Sequence, residues 1–537
     1  MRSKLTQNSS LHTTWLRLLI ILILVLGVFF RFVNLDKKVY WPDEAVTSLR
    51  ISGYTVRELV RQVFDGHEIG IEDLQKYQHI NSEKNVIDTI QGLAMEEPQL
   101  PPLYFVMVRF WAQWCGDSVA AIRSLSALIS LLAFPCIYWL CQELFESPQV
   151  GWVAISLIAV SPFHVLYAQE ARPYSLWIVT ILLSSVTLLR AMRVQTKLSW
   201  GIYAASMVLG FYTFLFSGLV AIGYGIYVFA TEGFKFSQRV IAFLVASLVA
   251  LLAFVPWLLA FAVNLSKAEG GTDWAARKVS LFSLITMWAG NVSRIFFDLG
   301  VGSDDPLIKV FPLIPVILIF LIIVVYSIYF LCCRTPKRVW LFVLMLIGVS
   351  ASALIVPDLI VGGRRSGVAR YTIACYLGIQ LAVAYLLGTQ ITSISINIRR
   401  QRLWQFLAII VFSSGVLSCA VSSQAQIWWN KGPDRTKYNP QVAYIINQAK
   451  HPLLLSDANP AHVLSLSYLL AAQVRYQLVN KPKVFKINYG FSEVFLYKPS
   501  DKFKQALEKQ ENRKFKPNKE LGKFQNNLWQ LEKLSSE

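Results

Sequence analysis

Two adjacent carboxylates, Asp43 and Glu44, directly follow the aromatic residues Tyr40 and Trp41 and a proline. They come just after the first long apolar run, where a membrane-spanning helix would end. A carboxylate at that position could orient or deprotonate an acceptor hydroxyl, and Tyr and Trp are typical of the membrane interface. The alternative is that the two acids simply begin a solvated loop. The pair by itself therefore indicates no more than a candidate catalytic site.

A second charged motif, "QEARPY" at 169–174, holds Glu170 and Arg172 immediately before Pro173 and Tyr174 begin another apolar run. Ionisable side chains at a membrane boundary are candidates for function. The alternative is a local ion pair, or an Arg that extends to the lipid headgroups.

A third motif, "GGRRSGVARY" at 362–371, places Arg364, Arg365 and Arg370 within seven residues and ends at Tyr371. The planar guanidinium of Arg donates paired hydrogen bonds to phosphate. The motif therefore indicates a site for a phosphate-linked leaving group, with binding to bulk lipid headgroups as the alternative.

The elements that must position these residues are membrane helices. The chain has 537 residues, of which 55% are hydrophobic and 15% charged, and its mean hydropathy is +0.47. Apolar runs of about 20 residues, the length that crosses a bilayer as a helix, recur along it. We predict a polytopic α-helical membrane protein with about 11 transmembrane helices, at 15–34, 119–144, 150–168, 173–193, 199–214, 216–231, 240–262, 308–331, 339–357, 371–389 and 403–423.

The distribution of Lys and Arg orients these spans. With the N-terminus in the cytoplasm, four of the five internal loops carry basic residues. We therefore predict a multi-pass protein of the plasma (inner) membrane with its C-terminal region outside the cytoplasm. All three charged motifs then fall on the external side. The apolar stretch 101–114 contains Arg109 and is too short to span, so we interpret it as an interfacial helix.

The predicted domains are a membrane domain at 1–423, with a large first external loop at 35–118, and an external domain at 424–537. The latter has 18 Lys and Arg against 9 Asp and Glu, and alternating strand and helix patterns predict a small α/β fold.

The formal net charge is +19. The basic residues of the cytoplasmic loops are explained by the topology, and the excess of basic residues on the external side would suit membrane lipids or phosphate. We expect no nucleic-acid partner. The seven cysteines mostly fall in apolar runs, so no disulfide framework is predicted. No cofactor is firmly predicted and no metal ligands are assigned, although a divalent metal stays open where acids and phosphate meet.

Four motifs in order resemble the membrane glycosyltransferases of the GT-C class, in the branch of protein O-mannosyltransferases and bacterial aminoarabinose lipid A transferases (family 39-like). The matching residues are Asp43 and Glu44; Pro101, Pro102, Leu103 and Tyr104; Glu170, Ala171, Arg172 and Tyr174; and Arg370 and Tyr371. The resemblance covers roughly residues 35–375. The chain departs from the family at Leu100, where a His is usual.

The resemblance implies a single displacement, with inversion, that moves a sugar from a polyprenyl phosphate or diphosphate to an external lipid, glycan or protein. Asp43 would be the base or would orient the acceptor, and Glu44 and Glu170 would be secondary acids. The residues implied for the donor are Arg172, Arg364, Arg365 and Arg370 at its phosphate, with Tyr104, Tyr174 and Tyr371 at the cavity.

Three other functions stay open at this point. A transporter or flippase of lipid-linked glycans would also have many spans, but it is expected to place charges at mid-bilayer and often shows repeated halves. A glycan polymerase or ligase would share the donor site. A non-enzymatic scaffold would use the external domain as a binding module.

Overall fold

The structure, a computed structural model, describes residues 2–302, 305–392, 398–432, 436–480, 487, 490–511, 514–518 and 526–531. The chain divides into two compact units, which we describe separately. Unit 1 comprises Met1–Leu35, Glu97–Tyr104 and Arg123–Gln424, and unit 2 comprises Asp36–Glu96, Phe105–Ile122 and Ala425–Glu537.

Helices make up most of the chain. In chain order they are α1 (Arg2–Phe32), α2 (Pro42–Ile51), α3 (Val56–Val63), α4 (Ile71–Gln75), α5 (Val86–Glu96), α6 (Leu103–Cys115), α7 (Val119–Leu131), α8 (Ala133–Phe145), α9 (Pro148–Ala159), α10 (Pro162–Ala168), α11 (Tyr174–Val194), α12 (Lys197–Thr213), α13 (Ser217–Thr231), α14 (Gln238–Val263), α15 (Leu265–Thr272), α16 (Leu281–Ser293), α17 (Leu307–Val310), α18 (Ile314–Arg334), α19 (Lys337–Ile360), α20 (Ile373–Thr392), α21 (Ile398–Gln424), α22 (Asn439–Asn447), α23 (Pro460–Ser467) and α24 (Asp501–Glu511). Short 3-10 turns lie at Asp273–Ala276, Phe311–Leu313, Arg365–Gly367 and Ala369–Thr372.

Within the described residues, seven helices are long and apolar enough to cross a membrane, or eight if the bent pair α9 and α10 is one span. These eight coincide with eight of the predicted spans. The remaining three predicted spans, at 15–34, 199–214 and 216–231, correspond to α1, α12 and α13, and the last two have only 17 and 15 residues. A multi-pass helical architecture is therefore confirmed, and the count of eleven stays a prediction.

The bend between α9 and α10 measures 59° and is caused by Pro162, which cannot donate the next helical hydrogen bond. The last carbonyls of α9 consequently need other donors. The buried Arg31 of α1 supplies them, with bonds to Ile158 O at 3.0 Å and to Ala159 O at 2.6 Å. The same guanidinium donates to Ser130 Oγ at 3.0 Å, so one side chain joins α1, α7 and α9.

The other side of this break is closed by α21 and by the loop after α16. Gly415 of α21 packs so tightly that an added Cβ would lie 2.5 Å from Val160 O. Ser161 Oγ donates to Ile295 O at 2.6 Å, and Ser418 Oγ accepts from the Asp298 amide at 2.9 Å. The break therefore fixes the loop at 295–298 against α10 and α21.

Unit 2 contains a six-stranded sheet. Its strands are β1 (Asp65–Ile69), β2 (Pro452–Ser456), β3 (Arg475–Val479), β4 (Glu493–Tyr497), β5 (Phe515–Pro517) and β6 (Leu528–Leu531), in the order β1-β3-β2-β4-β6-β5. The central strand β2 runs parallel to both neighbours and is buried along its whole length. Its continuous apolar sequence is typical of a strand covered on both faces.

The edge strand β1 comes from the first loop and pairs antiparallel with β3 from the C-terminal region. Residues 36–96 and 105–122 consequently belong to the same compact unit as 425–537, whereas the sequence analysis placed the whole of 35–118 with the membrane domain. The pairing joins segments about 400 residues apart in sequence, so local patterns carry no sign of it.

Replacing Arg31 by Met is expected to destabilise the protein by on the order of 3 kcal/mol. Ala159 O loses its guanidinium donor and Ile158 O keeps the long 3.4 Å bond from the Ser161 amide, and each unsatisfied buried group costs about 1–3 kcal/mol. The measurement is thermal unfolding of the purified protein in detergent, in which the folded fraction that remains after heating is quantified by size-exclusion chromatography. Arg17→Met is the matched control, since Arg17 is exposed on the same helix. Equal melting temperatures for the two variants would contradict the role of Arg31.

Candidate active site

The turn that carries Glu170 and Arg172 is tied to the end of α1. Gln169 Nε2 donates to Phe30 O and to Val33 O, both at 2.9 Å. The Arg172 amide then donates to Glu170 O at 2.8 Å, which closes a tight turn before α11. Both charged side chains are buried, at 2% and 5% exposure, so the turn presents them inside the protein rather than to solvent.

Aromatic rings surround this turn. Tyr174 packs edge-on against Tyr167, with ring centroids 5.1 Å apart, and Phe214 lies 4.6 Å from Trp177. Trp177 Nε1 donates to Ser217 Oγ at 3.1 Å, which fixes the indole. These rings form an apolar wall that excludes water, and electrostatic interactions beside such a wall are stronger than in solvent.

The arginine motif forms two 3-10 turns held by one buried carboxylate, Asp358 near the end of α19. Its Oδ2 accepts from the amide and the hydroxyl of Ser366, both at 2.7 Å, and its Oδ1 lies 3.3 Å from Arg365 Nη1. Gly363 has a φ of +146°, and an added Cβ would lie 2.5 Å from Asp358 Oδ1. The loop thus depends on this carboxylate, and Arg365 is engaged with it.

The other two arginines of the motif meet at one indole. The guanidinium carbons of Arg364 and Arg370 each lie 5.4 Å from the Trp274 ring centroid. Tyr371 also approaches this indole, with centroids 6.4 Å apart, and it packs edge-on against Phe216 at 5.1 Å. Two cations on one aromatic ring concentrate positive charge beside the aromatic wall.

The two motifs converge at Tyr167, which lies within electrostatic range of both Glu170 and Arg370. The structure therefore brings together in unit 1 the predicted residues of the "EAR" turn and of the late "RY" pair. The two motifs are about 200 residues apart in sequence, so the sequence alone did not indicate how close they lie in space.

Arg294 is a cation of this region that the sequence analysis missed. It donates to Asn291 Oδ1 and to Val301 O, both at 2.7 Å, and its charge acts on Tyr167, Tyr376 and Asp298. Burial lowers the pKa of Arg294, and Asp298 opposes that change. A signal was present, because Arg294 and Asp298 are the only charged residues between 281 and 300.

Tyr104 is fully buried at the start of α6, where its hydroxyl lies 2.7 Å from Ser126 Oγ. The preceding turn is fixed by Trp257, whose Nε1 donates to Pro98 O at 3.0 Å. The neighbouring Leu100, which stands where the resembled family usually has His, is also buried.

The first acidic motif lies in unit 2. Pro42 opens α2, and Asp43 and Glu44 occupy its first turn, where the helix dipole stabilises negative charge. Glu44 is fully buried and Asp43 is half-buried. The adjacent Trp41 is 1% exposed, and Lys431 Nζ lies 4.0 Å from its ring centroid.

A buried ion pair holds the other end of α2. Arg50 Nη1 lies 2.8 Å from Glu96 Oε2, and Glu96 also accepts from the Val56 amide at 2.8 Å. Burial raises the pKa of Glu96, but the charge of Arg50 and these hydrogen bonds outweigh it and hold the pKa below its ordinary value. Glu96, the last residue of α5, is therefore a positioning residue for α2.

Within the described residues, no three His, Cys, Asp or Glu side chains are grouped so as to hold a metal ion. All seven cysteines are free thiols.

Comparisons with known proteins bear on this arrangement. Residues 99–259 match the family model described as dolichyl-phosphate-mannose-protein mannosyltransferase. Among solved structures, ArnT from Cupriavidus metallidurans bound to undecaprenyl phosphate matches with a TM-score of 0.51 at 14% identity, over 85% of each chain. The apo state of the same protein matches at a TM-score of 0.49 and 14% identity, again over 85% of each chain.

The apo oligosaccharyltransferase of Archaeoglobus fulgidus matches at a TM-score of 0.47 and 12% identity, over 88% of this chain and 62% of that one. A search among curated proteins finds no significant match. The family match at 99–259 and the fold shared with ArnT confirm the predicted resemblance to GT-C membrane glycosyltransferases. The transporter alternative is not favoured by these matches.

The family match covers only part of the candidate site. It includes Tyr104, Glu170, Arg172 and Tyr174, whereas the acidic motif at 43–44 and the arginine motif lie outside it. The roles of all these residues stay predictions.

Replacing Asp358 by Ala is expected to loosen the arginine loop, because the amide and the hydroxyl of Ser366 lose their acceptor and Arg365 loses its carboxylate partner. Hydrogen exchange of a peptide covering 362–371 should become at least about tenfold faster, which corresponds to roughly 1.4 kcal/mol of local opening free energy. Glu269→Ala, at an exposed acid of α15, serves as the control. An unchanged exchange rate in the Asp358 variant would show that Asp358 does not hold the arginine loop in place.

Proposed function

We propose that this chain is a membrane glycosyltransferase that moves a sugar from a polyprenyl-phosphate donor to an acceptor outside the cytoplasm, with inversion at the anomeric carbon. The donor class is supported by the undecaprenyl phosphate bound to ArnT, whose fold the chain shares. The alternative within the same chemistry is a glycan polymerase or ligase, which would accept a growing chain.

The observation that carries the proposal is the pair of arginines on Trp274, Arg364 and Arg370, beside the aromatic rings of Tyr371 and Phe216. A phosphate that leaves with an extra negative charge is stabilised by cations already fixed in place. Arg172 and Arg294 are further donor-side cations. Arg365 is the weaker candidate, because its guanidinium faces Asp358.

The reaction is a single displacement. The acceptor hydroxyl oxygen forms a bond to the anomeric carbon while the bond from that carbon to the phosphate oxygen breaks. The hydroxyl proton passes to the carboxylate of Asp43, and the electron pair of the broken bond leaves with the polyprenyl phosphate. Glu44 and Glu170 would position the reactants, with Tyr104, Tyr174 and Tyr371 at the cavity.

The topology belongs to the same proposal. Eleven spans with the N-terminus in the cytoplasm place the motifs and the small α/β domain at 424–537 on the external side, where lipid-linked sugars would be used after translocation. The basic internal loops support this orientation.

Transfer should depend both on the proposed base and on the proposed phosphate-binding arginines. The assay supplies the protein in nanodiscs with radiolabelled polyprenyl-phosphate sugars and cell-envelope extract, and it follows transfer of the label. Asp43→Asn is expected to lower transfer by about 10²–10⁴-fold, the usual contribution of a general base. Arg370→Gln should lower it by about 10²–10³-fold through the lost stabilisation of the leaving phosphate.

Two exposed residues supply matched controls: Glu72→Gln for the acid and Arg277→Gln for the arginine. Both are expected to retain wild-type transfer. Full activity in Asp43→Asn would remove this residue from the mechanism. Absence of transfer by the wild type from every donor, with the donors verified by another enzyme, would overturn the proposed function.

A further inference from the structure

Unit 2 contains an open groove of about 560 Å³, a size that suits a small ligand of a few rings. Most of its lining comes from α22, and single residues from two other segments complete it. The lining residues are Gln426, Pro440, Gln441, Ala443, Tyr444, Ile445, Asn447 and Leu469.

The lining carries no charged side chain, although the region from 424 onward holds 18 Lys and Arg and 9 Asp and Glu. A groove that bound phosphate or carboxylate would be expected to include one of these many cations. Its chemistry therefore favours an uncharged ligand, in contrast to the arginine site of unit 1.

Two side chains on the exposed face of α22 can contact such a ligand. Gln441 and Tyr444 are three residues apart, so they lie on the same helix face, and Tyr444 is 66% exposed. Among the described residues no hydrogen bond to either side chain occurs. An amide both donates and accepts, as sugar hydroxyls do, and a tyrosine ring offers an apolar face with a polar tip.

The wall of the groove is fixed by Asn447. Its Nδ2 donates to Leu469 O at 3.0 Å, and its Oδ1 accepts from the Ala471 amide at 2.9 Å. On the opposite face of α22, Val442 and Ile446 are fully buried. The helix is thereby held in place, so ligand binding would not have to order it.

We propose that this groove is a subsite for an uncharged sugar unit of the acceptor. The inference rests on the proposed function, since it assigns the acceptor a glycan portion. Gln426 stands two residues after the end of α21, and two residues of chain reach at most about 7 Å. One lining residue is therefore tethered close to the end of a candidate membrane span, where the glycan of a lipid-linked acceptor would begin.

Binding can be measured without turnover. The full chain in nanodiscs is titrated by saturation-transfer NMR with maltotriose, mannotriose and chitotriose, and with a trisaccharide containing glucuronic acid. At least one neutral trisaccharide should bind, and more tightly than the acidic one. Tyr444→Ala is expected to weaken that binding by at least tenfold and Gln441→Ala by a few-fold. Gln448→Ala, an exposed residue just past α22 and outside the lining, should leave it unchanged.

Binding of no neutral trisaccharide, preference for the acidic one, or equal affinity in Tyr444→Ala and Gln448→Ala would each overturn the groove proposal. Sugar transfer, assayed separately with Asp43→Asn, distinguishes the two proposals. Transfer that survives without glycan binding refutes the groove alone, whereas glycan binding without any transfer by the wild type refutes the proposed function.

Discussion

A helix that breaks inside a membrane must find donors for the carbonyls it exposes, because no water is available there to satisfy them. At the break between α9 and α10 this chain meets the requirement with Arg31, which donates to two of those carbonyls. A buried cation is costly, but here the guanidinium has four acceptors. The position of α1 follows from this arrangement, and the turn after α10 is then tied to α1 by Gln169.

The same break positions the residues of the candidate site that lie far apart in sequence. Ser161 holds the loop at 295–298, next to Arg294, and α10 carries Tyr167 toward Glu170 and Arg370. A second buried charge, Asp358, does for the arginine loop what Arg31 does for the broken helix. In both places a single ionised side chain satisfies several groups at once, which is the condition under which a buried charge can be accommodated.

The sequence predicted the parts of the fold that depend on local pattern. Apolar runs located the long helices, and Pro162 lay within a predicted span. What local pattern could not supply was contact between segments far apart in sequence: the pairing of β1 with β3 and the meeting of Arg364 and Arg370 at Trp274. Arg294 shows an intermediate case, since its isolation in an apolar stretch was visible but its acceptors were not. The boundary of the membrane domain near 424 was visible in the composition. That part of the first loop belongs to unit 2 became visible only from the strand pairing in the sheet.

The two proposed recognition sites differ as their ligands do. A phosphate is held by fixed positive charge in surroundings that exclude water, and unit 1 offers arginines on an indole beside an aromatic wall. A sugar hydroxyl is held by groups that both donate and accept, and a site built from them gains discrimination because a wrong ligand leaves polar groups unpaired. The uncharged groove on α22 has this second chemistry in the midst of a basic domain. A protein that needed only a general attraction to anionic surfaces would have no reason to keep one groove free of charge, so the neutrality of the lining is itself an argument for selective recognition.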